Sequence, residues 1–246
     1  METAYWTGFD VDDLAWHAEQ LDAAEGTDVV VGTQVRTDRG GVVLFVSGRD
    51  RIGLFADMVG AIAGAGASIV SAQVFTSGDG EFVDVFVLQS PRGGVFAEGA
   101  IDRLDQLERD VAAAVRDGAD GRRIKTRRER REAAFIVEPV VQIRNDVSTQ
   151  FTVIEVTGRD RQGLLYDVAR VFAEQDLSIH SAHVGSYGER VFDAFYVQTR
   201  EGRKVADAAL KARLRSDLLA LLGRDEPVAP HTPARELRRA SAVDSF

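Results

Sequence analysis

The sequence predicts an α+β protein built from two copies of one small domain, each with an antiparallel sheet and with helices on one face. A long internal repeat, strand-like alternation and helical apolar spacing support this prediction. The predicted units cover residues 28–118 and 138–222. We expect an acidic helical segment at 1–27, a basic linker at 119–137 and a flexible tail at 223–246.

The repeat is clearest around one short loop. Residues 48–54 read GRDRIGL, and residues 158–164, 110 positions later, read GRDRQGL. At the same spacing, SIVSAQV at 68–74 matches SIHSAHV at 178–184. After a one-residue deletion, three further matches follow, which are Asp84 with Asp193, Phe86 with Phe195 and Gln89 with Gln198. Agreement of this length, in register, indicates two copies of one unit.

The first half of each copy predicts a strand followed by a helix. Residues 42–46 and 153–156 are short β-branched and aromatic runs, each leading to a glycine, which is typical of a strand that enters a turn. Apolar residues then recur with the spacing of one buried helical face. They are Leu54, Phe55, Met58, Val59 and Ile62, and then Leu164, Leu165, Val168, Val171 and Phe172.

The second half of each copy predicts two strands and a second helix. Turn residues at 77–80 and 187–189 join the two strands as a hairpin. The fourth strand that such a unit needs is absent after Leu222, but strand-like runs precede each first strand at 29–36 and 140–144. We therefore predict that each upstream run folds back on the first strand, which gives a permuted ββαββα order.

The strand at 82–88 is apolar on both of its faces, because Val83, Val85 and Val87 alternate with Phe82, Phe86 and Leu88. Helices can cover only one face of this strand. We expect the other face to meet the sister domain or another chain.

Composition excludes several classes of function. The chain has 246 residues, no cysteine and a formal net charge of −9. It therefore has no thiolate nucleophile and no disulfide, and we expect no nucleic-acid partner. No apolar run approaches the roughly 20 residues of a membrane helix, and residues 1–10 lack a signal pattern. We expect a cytoplasmic protein with no membrane partner.

The loop sequences Asp50-Arg51-Ile52-Gly53-Leu54 and Asp160-Arg161-Gln162-Gly163-Leu164 resemble the Asp-x-Pro-Gly-Leu segment of the ACT family of amino-acid-sensing domains, with the proline replaced in both copies. The resemblance implies two ferredoxin-like ACT domains that can associate with one another. It also implies that these loops bind an amino acid. The candidate ligand-binding residues are Asp50, Arg51, Gly53, Leu54, Asp160, Arg161, Gly163 and Leu164.

The tandem arrangement, together with Ala4-Tyr5-Trp6 and the acidic residues that follow, resembles the C-terminal regulatory region of bifunctional uridylyltransferase/uridylyl-removing enzymes. That resemblance implies glutamine as the effector, allosteric control in nitrogen regulation, catalytic domains upstream and the PII protein as a partner. The alternative is a free-standing tandem ACT protein that binds an amino acid and regulates a separate enzyme.

The loop residues also have simpler interpretations. Asp50 and Asp160 could receive the ammonium group of an amino acid, or they could cap the helix that follows. Gly53 and Gly163 could let a ligand approach the backbone, or they could only form a turn. The sequence alone leaves these alternatives open.

The sequence contains no motif for catalysis, so whether the chain acts as part of an enzyme stays open. Asp12 and Asp13 follow no phosphate-binding loop, and we expect them to be solvated. His180 and His183 are expected on opposite faces of one strand, which argues against a metal site. We therefore expect no cofactor in this chain other than glutamine as an effector.

Overall fold

The structure is a computed structural model that describes residues 3–23, 26–91, 94–97, 99–118, 137–161, 163–187 and 190–223. Nearly all of the predicted linker and tail lie outside these residues, so their proposed character stays a prediction.

The described residues form six α-helices, eight β-strands and one 3-10 helix. Two helices come first, α1 (Thr3–Gly8) and α2 (Val11–Ala23). The first unit then contains β1 (Val29–Arg36), a 3-10 helix (Thr37–Arg39), β2 (Gly41–Arg49), α3 (Leu54–Gly64), β3 (Ser68–Thr76), β4 (Glu81–Gln89) and α4 (Ile101–Asp117). The second unit contains β5 (Val140–Arg144), β6 (Thr152–Arg159), α5 (Leu164–Glu174), β7 (Leu177–Tyr187), β8 (Arg190–Thr199) and α6 (Ala208–Leu222).

The permuted ββαββα order is confirmed in both units. The upstream strands β1 and β5 pair antiparallel with β2 and β6, so each one fills the place of the expected fourth strand. Within each unit the strands that flank the first helix both pair with the last strand, as β2 and β3 do with β4. The predicted α+β class with antiparallel pairing is therefore correct.

The two units share one continuous sheet. Its eight strands run in the order β1-β2-β4-β3-β7-β8-β6-β5, and β3 pairs with β7 at the centre. Gln73 lies opposite His183 in this pairing, and the two occupy the same position of the repeat. The local two-fold axis that relates the units therefore passes between these two residues.

One face of the sheet carries helices α3 to α6, and the main hydrophobic core lies between these helices and the strands. The repeat places matching aromatic residues in it, such as Phe86 in the first unit and Phe195 in the second, and both are fully buried. Because α3 also contacts α5, the core continues across the boundary between the units. The two units therefore share one core.

The other face of the first unit is covered by the N-terminal helices. Tyr5 packs with Phe45, Phe75, Val83 and Val85 in a second apolar cluster. The apolar second face of β4 therefore meets a segment of its own chain, and our expectation of the sister domain or another chain was wrong for this unit. The sister domain joins at the edge of the sheet, where backbone groups can pair.

Polar contacts at one corner fix the N-terminal helices in place. Asp13 is only 3% exposed and pairs with Arg36 at 3.0 Å and with Arg39. The expectation that Asp13 is solvated was therefore wrong, because two arginines of the β1–β2 hairpin compensate for the burial of its carboxylate. Nearby, His17 Nδ1 lies 2.9 Å from the Tyr5 hydroxyl, and burial lowers the pKa of His17 to about 4.

We predict that Gly41→Ala destabilises the fold. A Cβ at Gly41 would lie 2.4 Å from the carbonyl oxygen of Leu88, so the backbone of the β2–β4 pair would have to shift. The expected loss is about 1–3 kcal/mol of unfolding free energy, measured by urea denaturation followed by circular dichroism.

The matched control for that prediction is Gly64→Ala at the end of α3. A Cβ at Gly64 would meet no atom within 4 Å, so this variant should be as stable as the wild type or up to about 1 kcal/mol more stable. Equal stability of the two variants would contradict the proposed close contact at Gly41.

Candidate functional site at the junction of the two units

The two loops that match the ACT pattern have the same backbone geometry. Gly53 (φ 83°) and Gly163 (φ 79°) are left-handed and immediately precede α3 and α5. This conformation favours glycine because it has no Cβ. Neither helix start has a capping hydrogen bond from a side chain. In both units the glycine, and not the aspartate three residues before it, occupies the position directly before the helix.

The first loop borders a small cavity between the two units. All four candidate residues of the first unit line it, and the opposite wall comes from α5 and β7 of the second unit. Its volume is about 20 Å³, which is room for roughly one water molecule. The lining residues are Asp50, Arg51, Gly53, Leu54, Phe55, Ala56, Ala169, Ala173, Leu177, Ser178 and Ile179.

Asp50 is the acidic group of this cavity. Burial raises the pKa of Asp50, while the backbone N–H of Arg51, the nearby His180 and the hydroxyl of Ser178 act in the opposite direction. Ser178 Oγ lies 3.5 Å from Asp50 Oδ2, a long hydrogen bond that crosses from one unit to the other. The carboxylate is therefore incompletely solvated and lies where a cation would stabilise it.

The two loop arginines have partners in their own units. Arg51 pairs with Asp57 at 2.7 Å and donates to the carbonyl oxygen of Ala114 at 3.0 Å. Arg161 pairs with Asp167 at 2.6 Å. These contacts tie each loop to the first turn of the following helix, so the arginines hold the loops in position.

The loop of the second unit has the equivalent position in the repeat, but its four candidate residues do not line this cavity. These residues are Asp160, Arg161, Gly163 and Leu164. The surroundings of the two loops also differ in sequence. His180 lowers the pKa of Asp50. The residue equivalent to His180 in the first unit, 110 positions earlier, is Val70, which carries no charge. The two loops are therefore chemically unequal.

His180 and His183 lie on the same face of β7, contrary to the expectation from strand alternation. The pairing of β7 with β8 has a bulge between Ile179 and Ser181, and a bulge shifts the alternation of side chains. His180 stacks on Phe151 at 4.5 Å, Phe151 meets Tyr196, and His183 also meets Tyr196. Even so, the described residues contain no group of three side chains that could hold a metal ion.

Two features of this region were not predicted from the sequence: the residues that the second unit contributes to the cavity, and two buried acids. Ser178 lies in the repeated segment 178–184, but nothing in the sequence shows that it crosses to the other unit. Asp84 and Asp193 are both buried in the helix-facing side of the sheet. Their recurrence at matching positions of the repeat was the available signal, since acids are rarely buried.

The charge of each loop aspartate acts on the buried acid of its own unit. Burial and the negative charge of Asp50 raise the pKa of Asp84 well above its usual value. Burial raises the pKa of Asp193 to about 7, and the charge of Asp160 acts in the same direction. Each unit thus contains a loop carboxyl and a buried carboxyl that disfavour each other's ionisation.

In the part of the chain that the structure describes, no helix is both long enough and apolar enough to cross a membrane.

Comparison with protein families finds ACT-type domains in both units. Residues 42–94 match the ACT domain, and residues 140–225 match the ACR9-like, ACT-like domain. Together these matches cover the two loops and most of the sheet.

Curated relatives match nearly the whole chain. The bifunctional uridylyltransferase/uridylyl-removing enzyme of Caulobacter vibrioides strain NA1000 is 43% identical over 98% of this chain, and that of Phenylobacterium zucineum is 38% identical over 98%. The chain spans about a quarter of the length of these relatives, 26% in both cases. Aspartate kinase from Synechocystis aligns with 74% of this chain and 26% of its own at 13% identity, with a TM-score of 0.39, too low to support an argument.

We predict that Asp193→Asn removes a pH-dependent loss of stability. The pKa of Asp193 is about 7 in the folded chain and near 3.8 when unfolded, so its proton stabilises the folded state. That contribution is fully present below pH 3.8 and is lost as the pH rises to about 7, by roughly 1.4 kcal/mol per pH unit. An asparagine cannot ionise.

Urea denaturation at pH 5 and at pH 8 measures this effect. The unfolding free energy of Asp193→Asn, relative to that of the wild type, should be higher at pH 8 than at pH 5. For Asp217→Asn, at an exposed position on α6, this difference from the wild type should be the same at both pH values. Parallel pH dependence of the wild type and Asp193→Asn would show that Asp193 ionises normally.

Proposed function

Since this chain belongs to the ACT domain family, we propose that it is an amino-acid-sensing regulatory module of a bifunctional uridylyltransferase/uridylyl-removing enzyme, with glutamine as its effector. In this proposal the module works in the cytoplasm, the catalytic domains belong to the same longer polypeptide, and the PII protein is their substrate. The chain itself has a regulatory role and no catalytic one.

The observation that carries this proposal is the position of the Asp50 cavity between the units. One wall is the loop and first helical turn of the first unit, and the other is α5 and β7 of the second. A ligand in this place contacts both units at once. Its binding energy can therefore favour one arrangement of the units over another, which is the physical requirement for allosteric control.

The cavity has the chemical groups that an α-amino acid requires. The carboxylate of Asp50 can accept hydrogen bonds from an ammonium group. Phe55 and Ala56 line the cavity in the first turn of α3, where backbone N–H groups have no partner within the helix and can donate to a carboxylate. An amino acid has both charged groups on one carbon atom, so it can bridge the loop and the helix start.

The site must open before it can hold glutamine, because a volume of about 20 Å³ is far smaller than any amino acid. The left-handed Gly53 ends the loop, and a Cβ added to it would lie 3.7 Å from the methyl group of Ala173 across the junction. Movement of this loop away from α5 would enlarge the cavity and would also change the contact between α3 and α5. Ligand entry and rearrangement of the units are therefore one event in this proposal.

The alternative is a free-standing tandem ACT protein that regulates a separate enzyme. Both functions use the same junction site, so ligand binding does not distinguish them. The extent of the polypeptide encoded by the gene does, because the proposed module requires catalytic domains in the same chain.

We predict that the wild-type chain binds glutamine and that Asp50→Asn weakens this binding at least about tenfold. The asparagine keeps the size of the side chain but loses the charge-assisted hydrogen bond to the ammonium group, which is worth about 1.5–3 kcal/mol. Isothermal titration calorimetry at millimolar glutamine measures the effect.

Asp105→Asn is the matched control, because this aspartate is exposed on α4 and lies outside the cavity lining. It should bind glutamine as the wild type does. Gly53→Val should also abolish binding, since valine is strained at φ 83° and would obstruct the loop. If the wild type binds no amino acid at millimolar concentration, the sensing function is wrong although the fold stands.

A further inference from the structure

A larger cleft lies at one end of the second unit, apart from the junction cavity. It opens between the loop before β6, the first half of β7 and the turn that follows β8. Its volume is about 510 Å³, which is within the range of small-molecule sites, roughly 300–1,000 Å³. The side chains that line it include Gln150, Phe151, His180, Gln198, Arg203 and Lys204.

The charge of this cleft is opposite to that of the whole chain. The chain has a formal net charge of −9, yet none of the described lining residues is acidic and two of them, Arg203 and Lys204, are basic. The carboxylate of Glu201, outside the lining, lies 3.8 Å from Arg203 Nη2, and both side chains are exposed. Such an ion pair is weak, so Arg203 can bind another anion at little cost.

The ammonium group of Lys204 is fixed at this cleft by neutral partners. It donates to the backbone carbonyl oxygen of Asn145 at 2.9 Å and to that of Ser148. Among the described residues, Lys204 forms no ion pair, and the nearby Asp146 pairs with Arg144 at 2.8 Å. An ammonium group has three N–H donors, so one of them remains for a ligand. A part-buried cation held by neutral dipoles is stabilised further when an anion lies beside it.

Hydrogen bonds hold the walls of the cleft in position. The turn after β8 is closed by the backbone N–H of Thr199, which donates to the carbonyl oxygen of Arg203 at 2.8 Å. The segment that follows is joined to the loop before β6, because Asn145 Nδ2 donates to the carbonyl oxygen of Val205 at 3.0 Å. The segments on both sides of the cleft therefore form one frame, and a ligand does not have to order them.

The two units share the backbone frame of this corner but not its side chains. Gln89 Nε2 donates to the carbonyl oxygen of Gly40 at 3.0 Å, and the equivalent Gln198 Nε2 donates to the carbonyl oxygen of Gln150 at 3.4 Å. In the first unit the glycine adds no side chain at this place, whereas Gln150 adds an amide. The polar lining is therefore a feature of the second unit and not of the fold.

The stacked rings of Phe151 and His180 also belong to the second unit alone. Their centroids are 4.5 Å apart and their planes differ by 20°. The equivalent residues of the first unit are Gly41 and Val70, so neither ring has a counterpart there. An aromatic wall and side-chain amides beside two cations suit an anion with a carbon skeleton better than a bare inorganic ion.

We propose that this cleft is a binding site for a small organic anion with two or more negative charges, carried by phosphate or carboxylate groups. Arg203 and Lys204 hold the anionic oxygens, the amide of Gln150 donates a hydrogen bond, and the Phe151–His180 pair packs against the carbon skeleton. The cleft shares no lining residue with the junction cavity, so anion binding here is independent of the proposed glutamine sensing.

The experiment is isothermal titration calorimetry of the full chain at neutral pH and constant low ionic strength, with three dianions as probes. Phenyl phosphate and phthalate have a planar ring and differ in the anionic group, and sulfate has no carbon skeleton. We expect at least one of the two organic dianions to bind at millimolar concentration or below, and more tightly than sulfate. The tighter of the two identifies the anionic group that the site prefers.

Arg203→Gln tests the location of the site, because this side chain is exposed and its loss leaves the frame intact. We expect the variant to bind the preferred probe at least about tenfold more weakly, since a charge-assisted hydrogen bond is lost. Arg200→Gln is the matched control, because it removes the same charge from an exposed position outside the lining. It should bind the probe as the wild type does.

Four outcomes would overturn the assignment. They are no binding of either organic dianion at millimolar concentration, sulfate binding as tight as theirs, unchanged affinity in Arg203→Gln, and equal loss in Arg203→Gln and Arg200→Gln. The last of these would show a general effect of net charge. None of these outcomes changes the expectation for glutamine, which is measured at the Asp50 cavity.

Discussion

The antiparallel pairing of β3 with β7 is the interaction on which the rest of the structure depends. It joins one edge strand of each unit to its counterpart, with Gln73 opposite His183 at the local two-fold axis. An unpaired edge strand exposes a row of backbone N–H and C=O groups, so this pairing removes an aggregation hazard from both units at once. It also brings α3 beside α5 and closes a single core across the boundary.

The same pairing creates the candidate site. Without it, the Asp50 loop would face solvent, and Ser178 and Ala173 would belong to a separate surface. Because the wall of the cavity comes from both units, the strength of the edge pairing and the occupancy of the cavity are physically linked. A small cavity behind a glycine loop suits such a site, since entry of a ligand has to displace contacts between the units.

The two halves of the molecule are alike in fold but unequal in their surroundings. In the first unit, α1 and α2 cover the outer face of the sheet, and Asp13 anchors them on Arg36 and Arg39. In the second unit the residue equivalent to the buried Val83 is Phe192, which is 52% exposed. The junction is unequal as well, because His180 lowers the pKa of Asp50, whereas a valine takes the place of this histidine in the first copy of the repeat. The repeat therefore supplies the symmetry, and differences in side chains give the two halves different surroundings.

The sequence by itself determined the unit and its repetition. Matching loops at 48–54 and 158–164, strand alternation and helical spacing were enough to predict two permuted units and the glycines that start α3 and α5, because these features depend on neighbouring residues. Tertiary structure decided how the units meet, that Asp13 is buried, and that a bulge brings His180 to the face of His183. It also decided that Ser178 reaches Asp50, a contact between residues 128 positions apart. Such contacts depend on which strand edges pair and on where a strand is irregular, and no local pattern of residues encodes either.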